Sequence, residues 1–488
     1  MSLNRVIRSS LWLYISGIVG NFLGFVYWLV ATKFVGAAVI GDGAAVVGIV
    51  SVVGSIFGLG ISSGMTRMVG RALGRGETDS VSVHLFSSLA LSVALSLVAA
   101  ALVYALGGLF SIPDFQIPYV AALIPLHSSL PVLTAYYNAR LRTSVIAASS
   151  MVASVLRLGI GILLLYLGWS FVGVMAAYFV SYAAQNVGMI LALRRDVVVP
   201  RPPSARSAAE AVRTGFPSWL PSLVETAGSW FGVLGVYGVS GNLEAGTYYV
   251  AFVIASIVFA LPLSLLGLMF PVLSGMEDGR KRATNRAVLL TSAVVAPLAA
   301  AVIAYPRVPL SLLGPEYVGS SVALQILLLA AFVSPIPSGF NSLIYAYGRY
   351  RDVTILGFAY NLPRLLMYPF LVSAWGENGA AASYVLGFFV ATVVVYFMAK
   401  PIGYSVGWRN SILVSSIPIA AAALVWLTQI PWYVGGPVVL GASAISYARL
   451  GIVKKSDLAD VSSAFVSKGR IEQFQPYIRY VLEVLYGK

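Results

Sequence analysis

Six side chains hold most of the chemistry that this sequence could perform in apolar surroundings. Arg157, in Ser-Val-Leu-Arg-Leu-Gly-Ile-Gly, and Arg364, in Tyr-Asn-Leu-Pro-Arg-Leu-Leu-Met, both fall midway along apolar runs. An ionised group at that depth of a bilayer is costly unless paired or hydrated, so each is a candidate for function. A guanidinium presents five donors in a planar fork that suits a phosphate, and two of them facing one cavity would clamp an anionic headgroup. The alternative is that each neutralises a neighbouring dipole or acidic group and holds its helices together. Glu225, in Pro-Ser-Leu-Val-Glu-Thr-Ala-Gly-Ser-Trp, is the one acid expected deep within an apolar run. It could pair with an arginine, bind a coupling Na+, or take up H+. A bend at Pro217 and Pro221 would free backbone carbonyls for a cation.

The other three are more ambiguous. Lys33 lies about a turn from the end of the first apolar run, where it either extends its amine to lipid headgroups or lines a cavity. Arg67, followed by Arg71 and Arg75 at roughly one-turn intervals, either draws phosphate to a cavity mouth or only orients its helix. His127, between Pro125 and Pro131, is a possible proton carrier or a satisfied polar contact. Asn21, Asn341, Asn361, Gln185 and Gln325 could line a cavity, but hydrogen bonding between helices accounts for them equally well.

The elements that must position these groups are membrane helices. Hydrophobic residues make up 59% of the 488 and charged residues only 10%, against about 25% charged in a typical soluble domain. We find fourteen apolar runs of the length needed to span a bilayer, from 11–35 to 432–448, with 44–66, 215–239, 320–345, 353–373 and 380–399 among them. None shows the short alternating pattern of a β-barrel strand. The first run is long and lacks a cleavage site, so it reads as a retained helix. The expected fold is all-α and polytopic.

Net charge is +14, yet its placement points away from nucleic acid. Of the 31 Lys and Arg, 27 fall in one alternate set of loops, while Arg307 alone lies in the other set. That asymmetry places both termini in the cytoplasm. With no cysteine, the chain has no disulfide or thiolate metal site, and no Walker motif is present, so neither a cofactor nor ATP is expected.

The chain also repeats. Gly36 and Gly41 recur as Gly241 and Gly246, displaced by 205 residues, and Trp169 through Tyr178 matches Trp375 through Tyr384 at a displacement of 206. Arg157 and Arg364 stand at equivalent places, 207 apart. We therefore expect six-helix bundles at 1–193 and 215–400 related by a pseudo-two-fold along the membrane normal. Between them lies a Pro-rich basic linker, 194–214. A helical hairpin at 401–449 and an amphipathic cytoplasmic tail at 450–488 complete the chain.

Lys33-Phe-Val-Gly36 to Gly41, Gly64-Met-Thr-Arg67 to Gly74-Arg-Gly-Glu77, Leu313-Gly-Pro-Glu316-Tyr317 and Gly376-Glu-Asn-Gly379 carry a resemblance over residues 1 to about 400. On these motifs the sequence resembles the oligosaccharide and polysaccharide flippase branch of the multidrug, oligosaccharidyl-lipid and polysaccharide exporter superfamily. The resemblance implies a V-shaped pair of bundles in the cell membrane that moves a polyprenyl phosphate- or pyrophosphate-linked oligosaccharide to the outer leaflet by alternating access. It also implies that the hairpin forms a groove for the lipid tail, as in the related lipid II flippases.

Three rivals remain beside that expectation. A cation-coupled multidrug exporter of the same superfamily would be expected to carry more acids in its helices and no basic clamp. A membrane glycosyltransferase would need carboxylates or a large loop at the outer face. A channel would need a repeated filter or a ring of charge. The partners expected are therefore a lipid-linked oligosaccharide, membrane lipids and a coupling Na+ or H+, and the chain is not expected to be an enzyme.

Overall fold

The computed structural model describes residues 20, 23–110, 112–194, 201–267, 269–455, 457 and 486. Asn21, the basic N-terminus, residues 195–200 of the expected linker and nearly all of the expected amphipathic tail lie outside the described residues.

The apolar runs fold as helices because a helix satisfies its own peptide groups, which lipid cannot do. In chain order these are α1 (23–31), α2 (Ala37–Gly58), α3 (Ile61–Arg75), α4 (Thr78–Leu106), α5 (Ile117–Ala139), α6 (Thr143–Tyr166), α7 (Ser170–Leu193) and α8 (Ala205–Ser240). They continue as α9 (Asn242–Gly267), α10 (Met269–Gly275), α11 (Arg280–Ala304), α12 (Arg307–Leu313), α13 (Ser321–Val333), α14 (Pro335–Ala346), α15 (Tyr350–Ala399), α16 (Trp408–Leu427) and α17 (Trp432–Arg449). No strand occurs among the described residues. Among the described residues ten helical spans are long and apolar enough to cross a membrane, and the protein is a multi-pass membrane protein.

Three boundaries differ from those read in the sequence. The run 44–66 is broken where Leu59 and Gly60 take left-handed φ of 46° and 72°, which ends α2 and re-aims the chain into α3. The run 320–345 divides at Ser334, with prolines opening α14 at its first turn, where their missing N–H costs no helical bond. Residues 205–214, expected in the linker, are the first turns of α8. Ser204 caps that helix by accepting from the Ser207 N–H at 3.4 Å, and the alanine-rich stretch that follows favours helix. The runs 353–373 and 380–399 stay distinct as the two arms of α15, which meet at a kink where Trp375 and Gly376 leave helical geometry.

The described chain divides into two compact units. One comprises 1–253, 313–323 and 357–387; the other comprises 254–312, 324–356 and 388–488.

In the first unit, α2 and α9 meet backbone to backbone. A Cβ on Gly41 would lie 1.9 Å from the Asn242 carbonyl oxygen, and one on Gly246 would lie 1.8 Å from that of Ala37. Only glycine permits this approach, since neither obstacle is a side chain that could move aside. The contact is reciprocal in the 205-residue register, because residue 37 is to 246 as 41 is to 242. Beside it, buried Asp42 accepts hydrogen bonds from Gln116 Nε2 at 2.9 Å, the Tyr237 hydroxyl at 2.7 Å and Asn242 Nδ2 at 3.2 Å. The second unit packs α11 against α14, α16 and α17. There the Tyr447 hydroxyl donates to the Val414 carbonyl at 2.5 Å and ties α17 to α16.

Candidate functional site

The first unit holds a cavity of about 310 Å³ between α2, α3, α4, α5 and α8. Each helix contributes the residues that share one of its faces. From α8 these are Ser218, Trp219, Ser222, Thr226 and Trp230, three or four residues apart and so aligned along one side. From α2 they include Ser51, Gly54, Ser55 and Gly58, again at helical spacing. Serines 62 and 63 of α3 and Ser92 of α4 enlarge the hydroxyl surface.

How these hydroxyls are held decides what they can do. Ser51 Oγ donates to the Val47 carbonyl at 2.7 Å and Thr226 Oγ1 to the Ser222 carbonyl at 3.0 Å, each back along its own helix. Such bonds satisfy the proton and leave the oxygen able to accept. Trp219 Nε1 donates to the Ser55 and Ile56 carbonyls at 2.9 and 3.1 Å, so its ring is fixed as a rigid plate between α8 and α2. On α5, the buried His127 Nδ1 and Ser128 Oγ have no hydrogen-bond partner, although both residues line the cavity. Unpaired polar atoms in a wall are where an arriving hydroxyl gains most.

Of the arginines singled out in the sequence, Arg67 reaches a residue of this wall. Its Nη1 donates to the Thr214 carbonyl at 3.0 Å, and its Nη2 reaches Ser218 Oγ at a long 3.5 Å. The side chain is exposed, so a guanidinium with donors to spare stands at the rim. Two turns along the same helix, Arg75 faces Glu77 at 4.0 Å, an exposed pair of little energetic weight. His127 lines the cavity and packs edge-on against Tyr182 at 5.4 Å.

Arg157 and Arg364 are seated in matching surroundings. The Arg157 guanidinium carbon lies 5.3 Å from the Tyr178 ring centre and 5.5 Å from that of Tyr27, while Arg364 lies 4.9 Å from Tyr384. Tyr178 and Tyr384 are the matched tyrosines of the repeat. Each arginine also abuts a glycine on a preceding helix, since a Cβ on Gly24 would stand 3.1 Å from Arg157 Nη2 and one on Gly228 3.0 Å from Arg364 Nε. Arg364 is 6% exposed and bonds Asn361 Oδ1; Arg157 is half-buried. Their contacts have no residue in common, and neither belongs to the cavity wall.

The remaining candidates are dispersed. Glu225 is exposed on α8, between the wall residues Ser222 and Thr226 but not itself part of the wall. It forms no ion pair among the described residues, so the expected pairing with an arginine is absent there. Lys33 is exposed beyond the end of α1. Gln325 donates to the Ile303 carbonyl at 2.9 Å and Asn361 to the Gly357 carbonyl at 2.8 Å, which are structural bonds. Sequence reasoning missed the serines, whose helical spacing on α2 and α8 was the available signal. Asp42, ahead of the expected run 44–66, lies within α2.

A family profile described as polysaccharide biosynthesis protein matches residues 6–277. The chain belongs to the polysaccharide biosynthesis protein family. The matched region of this family member includes α1 to α9, and hence the whole cavity wall. No curated protein matches the chain in sequence. Among solved structures, the lipid II flippase MurJ in an inward closed conformation superposes with a TM-score of 0.73 at 14% identity, covering 90% of this chain and 99% of that one. An inward-facing multidrug resistance MATE family transporter of the MOP superfamily gives a TM-score of 0.57 at 18% identity, covering 77% and 93%. A MOP superfamily transporter from Pyrococcus furiosus, described as having a binding pocket of reversed polarity, gives 0.53 at 18% identity, covering 84% and 96%. The polysaccharide biosynthesis protein thus has the fold of MOP superfamily transporters.

Proposed function

We propose that this protein is a flippase that carries an anionic polyprenyl phosphate- or pyrophosphate-linked oligosaccharide from the inner to the outer leaflet by alternating access. The observation that carries the reading is the cavity wall, with nine Ser and Thr hydroxyls, two indoles and no carboxylate. A sugar ring has hydroxyls around its rim and C–H groups on its faces, so rims match the serines and faces match the indoles. A cationic drug would call for a carboxylate on that wall. Arg67 at the rim supplies the positive fork that a phosphate between sugar and lipid requires. Membership of the polysaccharide biosynthesis family and likeness of fold to a lipid II flippase support the same reading.

In this scheme the bundles 1–193 and 215–400 rock about the cavity, with both termini cytoplasmic as the Lys and Arg distribution requires. Arg67 makes the anion contact first expected of Arg157 and Arg364, which instead brace α6 against α7 and the two arms of α15. Glu225, exposed beside the wall, is the carboxylate that takes up a coupling Na+ or H+. Lys33 attracts lipid headgroups at the end of α1. Purified protein in vesicles containing a fluorescent polyprenyl-pyrophosphate oligosaccharide should expose the sugar to the opposite face, and Arg67→Ala should slow that movement about tenfold, the loss expected for one charge-assisted hydrogen bond. Transport of cationic dyes with no movement of the lipid-linked sugar would overturn the proposal in favour of a multidrug exporter.

A further inference from the structure

The second unit has a cavity of different chemistry, about 260 Å³ between the first turns of α11 and of α16. Its polar wall is Arg282, Asn285 and Arg286 from α11 with Asn410 and Ser411 from α16, and its floor is Val288, Leu289 and Val406. We propose that it binds the headgroup phosphate of an anionic glycerophospholipid.

Charge, spare donors and size support this assignment. Arg286 is already engaged, since Nε donates to Asp457 Oδ1 at 3.0 Å, Nη1 donates to the Ile452 carbonyl at 2.9 Å, and Nη2 pairs with Asp457 Oδ2. Asp457 therefore acts as an internal anion for Arg286 and shows that this wall residue engages a carboxylate-sized anion. Arg282 is exposed and donates to nothing among the described residues, so its guanidinium is available. Asn285 is fixed by donating Nδ2 to the Ser405 carbonyl at 2.7 Å, which leaves its Oδ1 to accept from a headgroup hydroxyl. Asn410 and Ser411 stand in the opening turn of α16, whose N-cap Gly407 has no side chain to satisfy the peptide N–H groups. The volume falls near the lower end for small-ligand pockets, about 300 Å³, which suits a phosphoglycerol. The apolar floor and the exposed Ile412 on the next turn suit the start of an acyl chain, which a free phosphate lacks. Basic recesses between membrane helices are a recurrent setting for such headgroups.

The site is independent of what the protein transports, and the test reads binding alone. Native mass spectrometry of the purified protein, titrated with dioctanoyl phosphatidylglycerol, dioctanoyl phosphatidylcholine or inorganic phosphate, should give saturable adducts with the first at concentrations at least tenfold below the other two. Arg282→Gln should weaken phosphatidylglycerol binding about tenfold. Asp457→Asn removes the competing internal anion and should strengthen it several-fold. Equal binding of the two lipids would overturn the proposal, as would unchanged affinity in Arg282→Gln. Inorganic phosphate binding as tightly as phosphatidylglycerol would overturn its lipid assignment. Weaker binding in Asp457→Asn would show that the carboxylate builds the site rather than competes for it, and would overturn that part.

Discussion

The hydroxyl-lined cavity and the seats of Arg157 and Arg364 lie in one compact unit, yet they hold polar groups in opposite ways. The arginines are enclosed by tyrosine faces and adjoining glycines away from the cavity wall, and Nε of each has no hydrogen-bond partner among the described residues. On the cavity wall Ser51 and Thr226 donate only back along their own helices, and two polar atoms on α5 have no partner among the described residues. Charge alone therefore does not mark a binding site in a membrane protein. The better mark is a partly unsatisfied polar group on the wall or at the rim of a cavity. Arg67 combines both properties, being charged, exposed and loosely attached to Ser218.

The comparison can be broken by substitution. Arg364→Ala should have the largest effect, lowering stability by about 2–3 kcal/mol through loss of the cation–π contact and the bond to Asn361. Thermal unfolding in detergent would measure it, and transport per folded molecule should hardly change. A collapse of transport with normal melting would return Arg364 to the substrate path. Arg67→Ala should do the reverse, with transport reduced about tenfold and melting unchanged. Trp219→Phe keeps an aromatic plate but deletes both Nε1 bonds, so transport should fall several-fold and stability by about 1 kcal/mol. Glu225→Gln, at an exposed position, should leave melting unaltered and reduce only the stimulation that an imposed Na+ or H+ gradient gives. A gradient response equal to that of the parent protein would remove Glu225 from the coupling role.

The smallest effect concerns the segment that follows α17. Burial alone would raise the Asp457 carboxyl, but hydrogen bonds from Arg286 and from the Lys454 N–H outweigh it and hold the pKa below the usual aspartate value. A depressed pKa in the folded state means that the contribution is complete above the ordinary aspartate range and is lost as pH falls through the lowered value. Hydrogen-exchange protection around Ile452, taken relative to the intrinsic amide rate at each pH, should therefore stay constant from neutral pH down to that range and fall only below it.

Much of this fold was legible because lipid imposes simple rules. Long apolar runs had to be helices, and the 205- to 207-residue register that matches Gly41 with Gly246 and Arg157 with Arg364 reappears in the reciprocal glycine contact and in the seating of both arginines beside Tyr178 and Tyr384. Broken helices were not legible. Leu59 and Gly60 interrupt α2 through backbone conformation, and neighbours in space decide that, not hydropathy. The cavity was obscured for a related reason. Serine is tolerated throughout membrane helices, so Ser51, Ser55, Ser218 and Ser222 carry no signal until four other helices bring them to one wall. Attention went to ionisable groups because their cost in lipid is high, and the cost at Arg364 is met by aromatic faces.

The crossing of Gly41 and Gly246 has one more consequence. Interlocked side chains must change rotamer to part, and each carries a memory of its partner's shape. A junction made of bare peptide has no rotamers to unlock and no apolar knobs to withdraw, so it can open and close again without repacking. Beside it stands the fan of donors on Asp42, and in the proposed alternating-access cycle those few exchangeable hydrogen bonds would serve as its latch.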